Sequence, residues 1–165
     1  MTTISPAPPG IAFVFDTAIR SLGDQMRWID SLDTKAGVLM AAEAVIAGLV
    51  LSRGSILLET PAWVGVAVAL LLLTSLLLAL LSFSTRRFQL APNLQALVAA
   101  ANTGSAESLR WGVLPAVLEA LEINEPKVAQ KADLLFYSGC SLMLATATFG
   151  ASFILQLLTS GMATI

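Results

Sequence analysis

Apolar residues recur at three- and four-residue steps from Ile11 through Phe15, Ala18, Ile19, Leu22, Met26 and Ile29 to Leu32, the spacing of one face of an α-helix. Asp16, Arg20, Asp24 and Arg27 fall on the opposite side, so this stretch is amphipathic and calls for a packing partner. Polar positions then almost vanish. Gly37 to Ser52 carries Glu43 as its only charge, and Pro61 to Phe83 and Leu134 to Leu158 carry none. These runs of 16, 23 and 25 residues compare with roughly 20 residues for a hydrocarbon core of about 30 Å. They predict three membrane spans, at about 37–52, 61–83 and 134–158.

No proline and no run of glycines separates the amphipathic stretch from the first span, so one long helix is expected over about 11–52. Between spans two and three, "SAESLRWGVLPAVLEALE" (105–122) places Leu109, Val113, Val117 and Leu121 on one face behind Ser105, a residue suited to an N-cap. "INEPKVAQKADLLF" predicts a fresh start, with Asn124 or Glu125 as cap and Pro126 in the first turn, running into span three. The expected fold is an all-α integral membrane protein with three transmembrane helices. The first and last extend into a small cytoplasmic helical assembly (11–36 and 84–133), with a short amphipathic helix between spans two and three. Residues 1–10, with Pro6, Pro8, Pro9 and Gly10, are expected to form a flexible tail, and 11–165 a single membrane domain.

Charge sets the orientation. Of the nine basic residues, eight (Arg20, Arg27, Lys35, Arg86, Arg87, Arg110, Lys127 and Lys131) lie in 1–36 or 84–133, and only Arg53 lies between spans one and two. Basic residues concentrate on the cytoplasmic side of membrane helices, which predicts a cytoplasmic N-terminus. No secretory signal is expected, because the opening lacks a basic residue before Arg20. Mean hydropathy of +0.82 and 12% charged residues reinforce the membrane reading, with the lipid bilayer as first partner and no nucleic acid. There is no histidine and one cysteine, Cys140. The commonest metal ligand and general base are therefore missing, and no phosphate loop, dinucleotide fingerprint or nucleophile–base pair occurs, so the expectation is a non-enzymatic protein without metal or cofactor.

Asp33 lies inside the apolar stripe of the first helix, and a carboxylate on a packing face needs a cationic or hydrogen-bonding partner; Lys127, Lys131 and Arg86 are the candidates. Lys35, two positions on, lies on the polar side and fits a side chain reaching along the lipid boundary. Glu43 lies about 9 Å into the first span, where a carboxylate costs on the order of 2.5 to 3.5 kcal/mol and should face protein or water. It is expected to meet Thr74, Ser75 or Ser141 at similar depth, or another subunit. Gly37, Ala41, Ala44 and Gly48 form a separate face of small residues suited to close helix packing. An isolated three-helix protomer leaves the Glu43 direction and part of the stripe uncovered, so a homo-oligomer is expected.

Taken together, "DTKAGVL" at the first membrane entry, a second span ending in Arg86–Arg87, an amphipathic stretch after it and "KVAQKADLLFYSG" entering the last span resemble the transmembrane effectors of the Pycsar (pyrimidine cyclase) anti-phage systems. The resemblance covers roughly residues 25–158, and its sharpest element is Asp33–Thr34–Lys35–Ala36. It implies a bacterial inner-membrane protein that responds to cCMP or cUMP by impairing membrane integrity, ending growth before phage release. Members often carry a polar residue in the first span, more often an amide than the acid found here at Glu43. No catalytic residues carry over. A cyclic nucleotide offers a phosphate and a flat base, for which the chemistry nominates Arg27, Arg110, Lys127 and Lys131, with Asp33 and Lys35 nearby, and Trp28 or Trp111 for stacking. The same tryptophans could instead anchor the core of the helical assembly. Two other readings stand beside this one: a small structural or regulatory membrane subunit that scaffolds a partner, and an ion or proton carrier built around Glu43.

Overall fold

A computed structural model describes residues 9–52, 61–83, 88 and 105–162. Among these residues every regular element is a helix: α1 (Ile11–Ser52), α2 (Ala62–Phe83) and α3 (Ala106–Met162). Each is long and apolar enough to cross a membrane. At 1.5 Å per residue, α2 alone measures about 33 Å, which matches a hydrocarbon core. Arg86 and Arg87, and residues 1–8 of the expected tail, lie outside the described residues.

The ends are set by local chemistry. Gly10 has a φ of 91°, a left-handed conformation open to glycine, and its carbonyl accepts the Val14 N–H at 3.2 Å as α1 begins. Ser105 caps α3 as its residue type predicts: its Oγ accepts the Ser108 N–H at 3.3 Å and its carbonyl accepts the Leu109 N–H at 3.1 Å.

One expectation is corrected. Residues 106–122 are not a separate short helix, and nothing restarts at Asn124 or Glu125; Pro115 and Pro126 both lie inside the single helix α3. A proline within a helix forfeits a backbone hydrogen bond and costs about 3 kcal/mol, yet burial flanks both positions. Leu114, Val117 and Ala120 are buried around Pro115, and Asn124, expected as an exposed cap, is fully buried before Pro126. Packing on that face holds the helix together where local propensity would end it.

The chain forms two compact units. The first comprises the chain up to Ser31 together with 85–129. Its core is Ile11, Ala18 and Leu22 from α1 against Leu114, Val117 and Ala120 from α3, with Phe15, Met26, Val113 and Leu121 packed beside them. The amphipathic stripe read from the sequence is thus the buried stripe, except that Ile19 is exposed.

The second unit comprises 32–84 and 130–165 and is built inside out relative to a water-soluble bundle. Leu70, Leu73, Leu77, Leu80 and Leu81 of α2, and Met143, Leu144, Ile154 and Leu155 of α3, point outward. Ser75, Ser82, Lys131, Ser138 and Ser152 are buried beside Val68, Ala79 and Ala145. In lipid the outward leucines meet acyl chains as apolar as themselves, and small and polar residues hold helices together from within. Four of these form two seven-residue steps, Ser75–Ser82 and Lys131–Ser138, the period that keeps one seam of a helix facing its neighbour. Ser75 meets Ser138 while Ser82 meets Lys131, one step forward on α2 and one step back on α3, so these helices run antiparallel.

The small-residue face of α1 departs from expectation. Gly37, Ala41, Ala44 and Gly48 are exposed, and no described atom lies within 4 Å of where a Cβ on either glycine would sit. Glu43 is buried against α2 and Asp33 pairs with α3, and the small face, on another side of α1, is left exposed.

Candidate functional site

Two polar junctions tie the second unit together. In the first, the Lys131 ammonium donates to Asp33 Oδ1, and the Ser82 hydroxyl donates to the Lys131 carbonyl at 3.2 Å, so α1, α2 and α3 meet at one residue. The Lys131 side chain is 5% exposed and that of Asp33 37% exposed. Of the three partners nominated for Asp33, Lys131 is the one it engages. Lys127 is half-buried in the first unit, and Arg86 is outside the described residues. Lys35 is exposed, as its place on the polar side of the wheel requires.

The second junction lies ten residues further along α1, about 15 Å at helical rise. Glu43, 4% exposed, accepts from the Ser75 hydroxyl through Oε1. Ser75 Oγ also lies 2.9 Å from the Ser138 carbonyl and 3.2 Å from Ser138 Oγ, and the Ser138 hydroxyl donates back to the Ser75 carbonyl at 3.0 Å. Glu43 Oε2 is buried without a hydrogen-bond partner among the described residues. Of the polar positions nominated at this depth, Ser75 meets Glu43. Ser141 instead donates to the Leu71 carbonyl at 2.8 Å, fastening α3 to α2 one turn away, and Thr74 is exposed on another side of α2. Neighbouring positions on a helix point about 100° apart, so of Thr74 and Ser75 only one can face the seam.

Ser82 and Ser138 escaped the reading of the sequence. The signal for Ser82 was its seven-residue step from Ser75, since a serine repeated at coiled-coil spacing within an apolar span marks the packed side of that span; Ser138 stands one such step beyond Lys131.

The first unit carries a different feature. Trp28 is 64% exposed and lines a groove with Ser21, Asp24, Gln25, Glu125 and Val128. Gln25 Nε2 donates to the Leu121 carbonyl at 3.2 Å, which fixes the amide beside the groove, and its Oε1 has no hydrogen-bond partner among the described residues. Arg27, beside Trp28 in sequence, reaches Asp24 at 3.4 Å in a pair open to solvent on both sides. Trp111 is 39% exposed, and Arg110 is half-buried. Neither tryptophan belongs to the core of this unit, which rules against the anchor role. Among the described residues no cluster of three or more His, Cys, Asp or Glu could hold a metal.

The sequence model of the Pycsar effector protein domain matches residues 17–124, well over half of the chain. The match takes in Trp28, Asp33, Glu43, Ser75 and Ser82, and it ends before Lys131 and Ser138. No curated protein and no solved structure matches the chain. With three apolar helices long enough to span a bilayer and that match over most of α1, all of α2 and the start of α3, the chain belongs to the Pycsar effector family, membrane-spanning effectors of anti-phage defence.

Proposed function

We propose that this protein senses a cyclic pyrimidine nucleotide in the cytoplasm and answers by impairing the bacterial inner membrane, stopping growth before phage are released. The observation that carries this reading is the family match, which takes in most of the first unit's helices and the first two spans. The Trp28 groove supports the sensing half. An exposed indole offers a face for a pyrimidine ring, the flanking carboxylates can accept from the exocyclic amino group of cytosine or the ring N–H of uracil, and Arg27, next to Trp28 in sequence, is the basic side chain nominated for the phosphate. The exposed small face at Gly37, Ala41, Ala44 and Gly48 supports assembly of several copies, because small residues let membrane helices approach closely. The protein acts without catalysis of its own. Its N-terminus and the 84–133 segment lie in the cytoplasm, as the eight-to-one distribution of basic residues favours.

The test is a membrane-potential dye in cells expressing the protein with and without a pyrimidine cyclase, repeated with cCMP and cUMP on vesicles carrying the purified chain. Depolarisation only when nucleotide is present is the expected result. Unchanged potential with both nucleotides overturns the reading and favours a scaffolding subunit.

A further inference from the structure

We propose that the Glu43–Ser75–Ser138 junction is a binding site for a monovalent metal cation of the sodium class. Ser75 has one hydroxyl hydrogen and three acceptors in reach, Glu43 Oε1, the Ser138 carbonyl at 2.9 Å and Ser138 Oγ at 3.2 Å. The Ser138 hydroxyl hydrogen is committed to the Ser75 carbonyl at 3.0 Å. Glu43 Oε2, on a residue 4% exposed, receives none. A buried carboxyl in an apolar span must be neutralised, by a proton or by a cation, and among the described residues no lysine or arginine lines this junction.

The donor set then selects the ion. A carboxylate, two hydroxyls and two helix carbonyls converge from three helices, all of them hard oxygen ligands and none of them soft. One carboxylate balances one charge. Divalent magnesium and calcium are held by richer sets of carboxylates and waters in near-octahedral or larger shells, which this apolar setting does not supply. A groove of about 310 Å³ between α1 and α2, lined by Met40, Ala44, Ala47, Leu72, Leu73 and Leu76, reaches the Glu43 carboxyl. An ion held here neutralises the carboxylate at the depth where its charge is most costly, so the occupied junction closes the three spans on one another. Only its consequence for membrane leakage depends on the function proposed above; binding itself does not.

The test uses the purified full-length chain in detergent, at fixed pH and without nucleotide. A bilayer-soluble carbodiimide adds to the acid form of a carboxyl group, and a bound metal ion competes with that proton. Labelling of Glu43 is followed by peptide mass spectrometry in sodium chloride and in choline chloride of equal ionic strength, with Glu43→Gln as the blank. Sodium is expected to slow labelling several-fold where choline does not. Ser75→Ala, which keeps the carboxyl and removes one oxygen ligand, should raise the sodium needed for half-protection by about tenfold. Equal labelling in both salts overturns the proposal and leaves a carboxyl that binds a proton alone. A silent membrane-potential experiment beside sodium protection removes the proposed function and leaves the cation site standing.

Discussion

Lys131 and Asp33 form a charge pair of unequal halves: the ammonium is buried, with 5% of its side chain exposed, whereas 37% of the carboxylate side chain is exposed. The pair joins α1 to α3, and the Lys131 backbone carbonyl accepts Ser82 from α2 at the same level. Removing the carboxylate strands a buried cation. Removing the lysine leaves a carboxylate that water reaches.

Asp33→Ala should therefore destabilise the protein more than Lys131→Met does. The loss for Asp33→Ala is expected near 3 kcal/mol, the low end for breaking a buried pair, because Asp33 is partly solvated. The double variant should recover most of that loss. Resistance of the purified protein to unfolding by heat and by detergent measures all three, and a double variant no better than Asp33→Ala alone would show that the pair is not the coupling.

Much of this junction was legible from residues alone. A carboxylate on an apolar stripe demands a cation, and Lys131 at the entrance of the last span was among three candidates. The register between spans was harder to see, because hydropathy treats Ser75 and Thr74 alike and only packing decides which faces the seam. The continuity of α3 was illegible for a related reason. Pro115 and Pro126 signal breaks locally, and the burial of Leu114, Val117, Ala120 and Asn124 that overrides them is a property of the folded unit. The exposed position of the small-residue face follows from which side of α1 the two carboxylates claimed.

Ser138 is fully buried at the crossing of α2 and α3, so the size of its side chain matters more than its hydroxyl. Ser138→Ala should cost about 1 kcal/mol, one hydrogen bond, and leave the assembly intact. Ser138→Leu should force the helices apart, costing about 1 to 3 kcal/mol or more through overpacking. Disulfide trapping of a cysteine pair placed at Leu71 and Ser141, whose neighbouring contact is the Ser141 hydroxyl on the Leu71 carbonyl at 2.8 Å, reports the spacing. It should form with Ser138→Ala and fail with Ser138→Leu.

Orientation is open to direct measurement, with Cys140 replaced by serine as the background. Cysteines introduced singly at Ser105 and Thr159 should face opposite sides of the membrane, because three crossings place the 84–133 segment with the N-terminus. An impermeant thiol reagent on intact spheroplasts is expected to label Thr159→Cys and spare Ser105→Cys until the membrane is opened. Labelling of Ser105→Cys in sealed spheroplasts reverses the orientation.

The two tryptophans of the first unit allow sensing to be separated from folding. Trp28 lines a groove furnished with Asp24, Gln25 and Glu125, and it lies outside the packed core formed by Ile11, Ala18, Leu22, Leu114, Val117 and Ala120. Its removal should leave the helices assembled. Stacking of a base on an aromatic ring contributes about 1 to 3 kcal/mol, so Trp28→Ala should raise the nucleotide concentration for half-maximal depolarisation by roughly fivefold to a hundredfold or more. Trp28→Phe keeps a ring face and should recover much of the response. Trp111→Ala, which takes away a ring that lines no part of this groove, should leave the midpoint within about twofold of the wild type. The measurement is a titration of cCMP and cUMP on dye-loaded vesicles carrying each variant, with helix content by circular dichroism as the folding control. A midpoint that shifts with Trp111→Ala and not with Trp28→Ala moves the nucleotide away from this groove and toward Arg110.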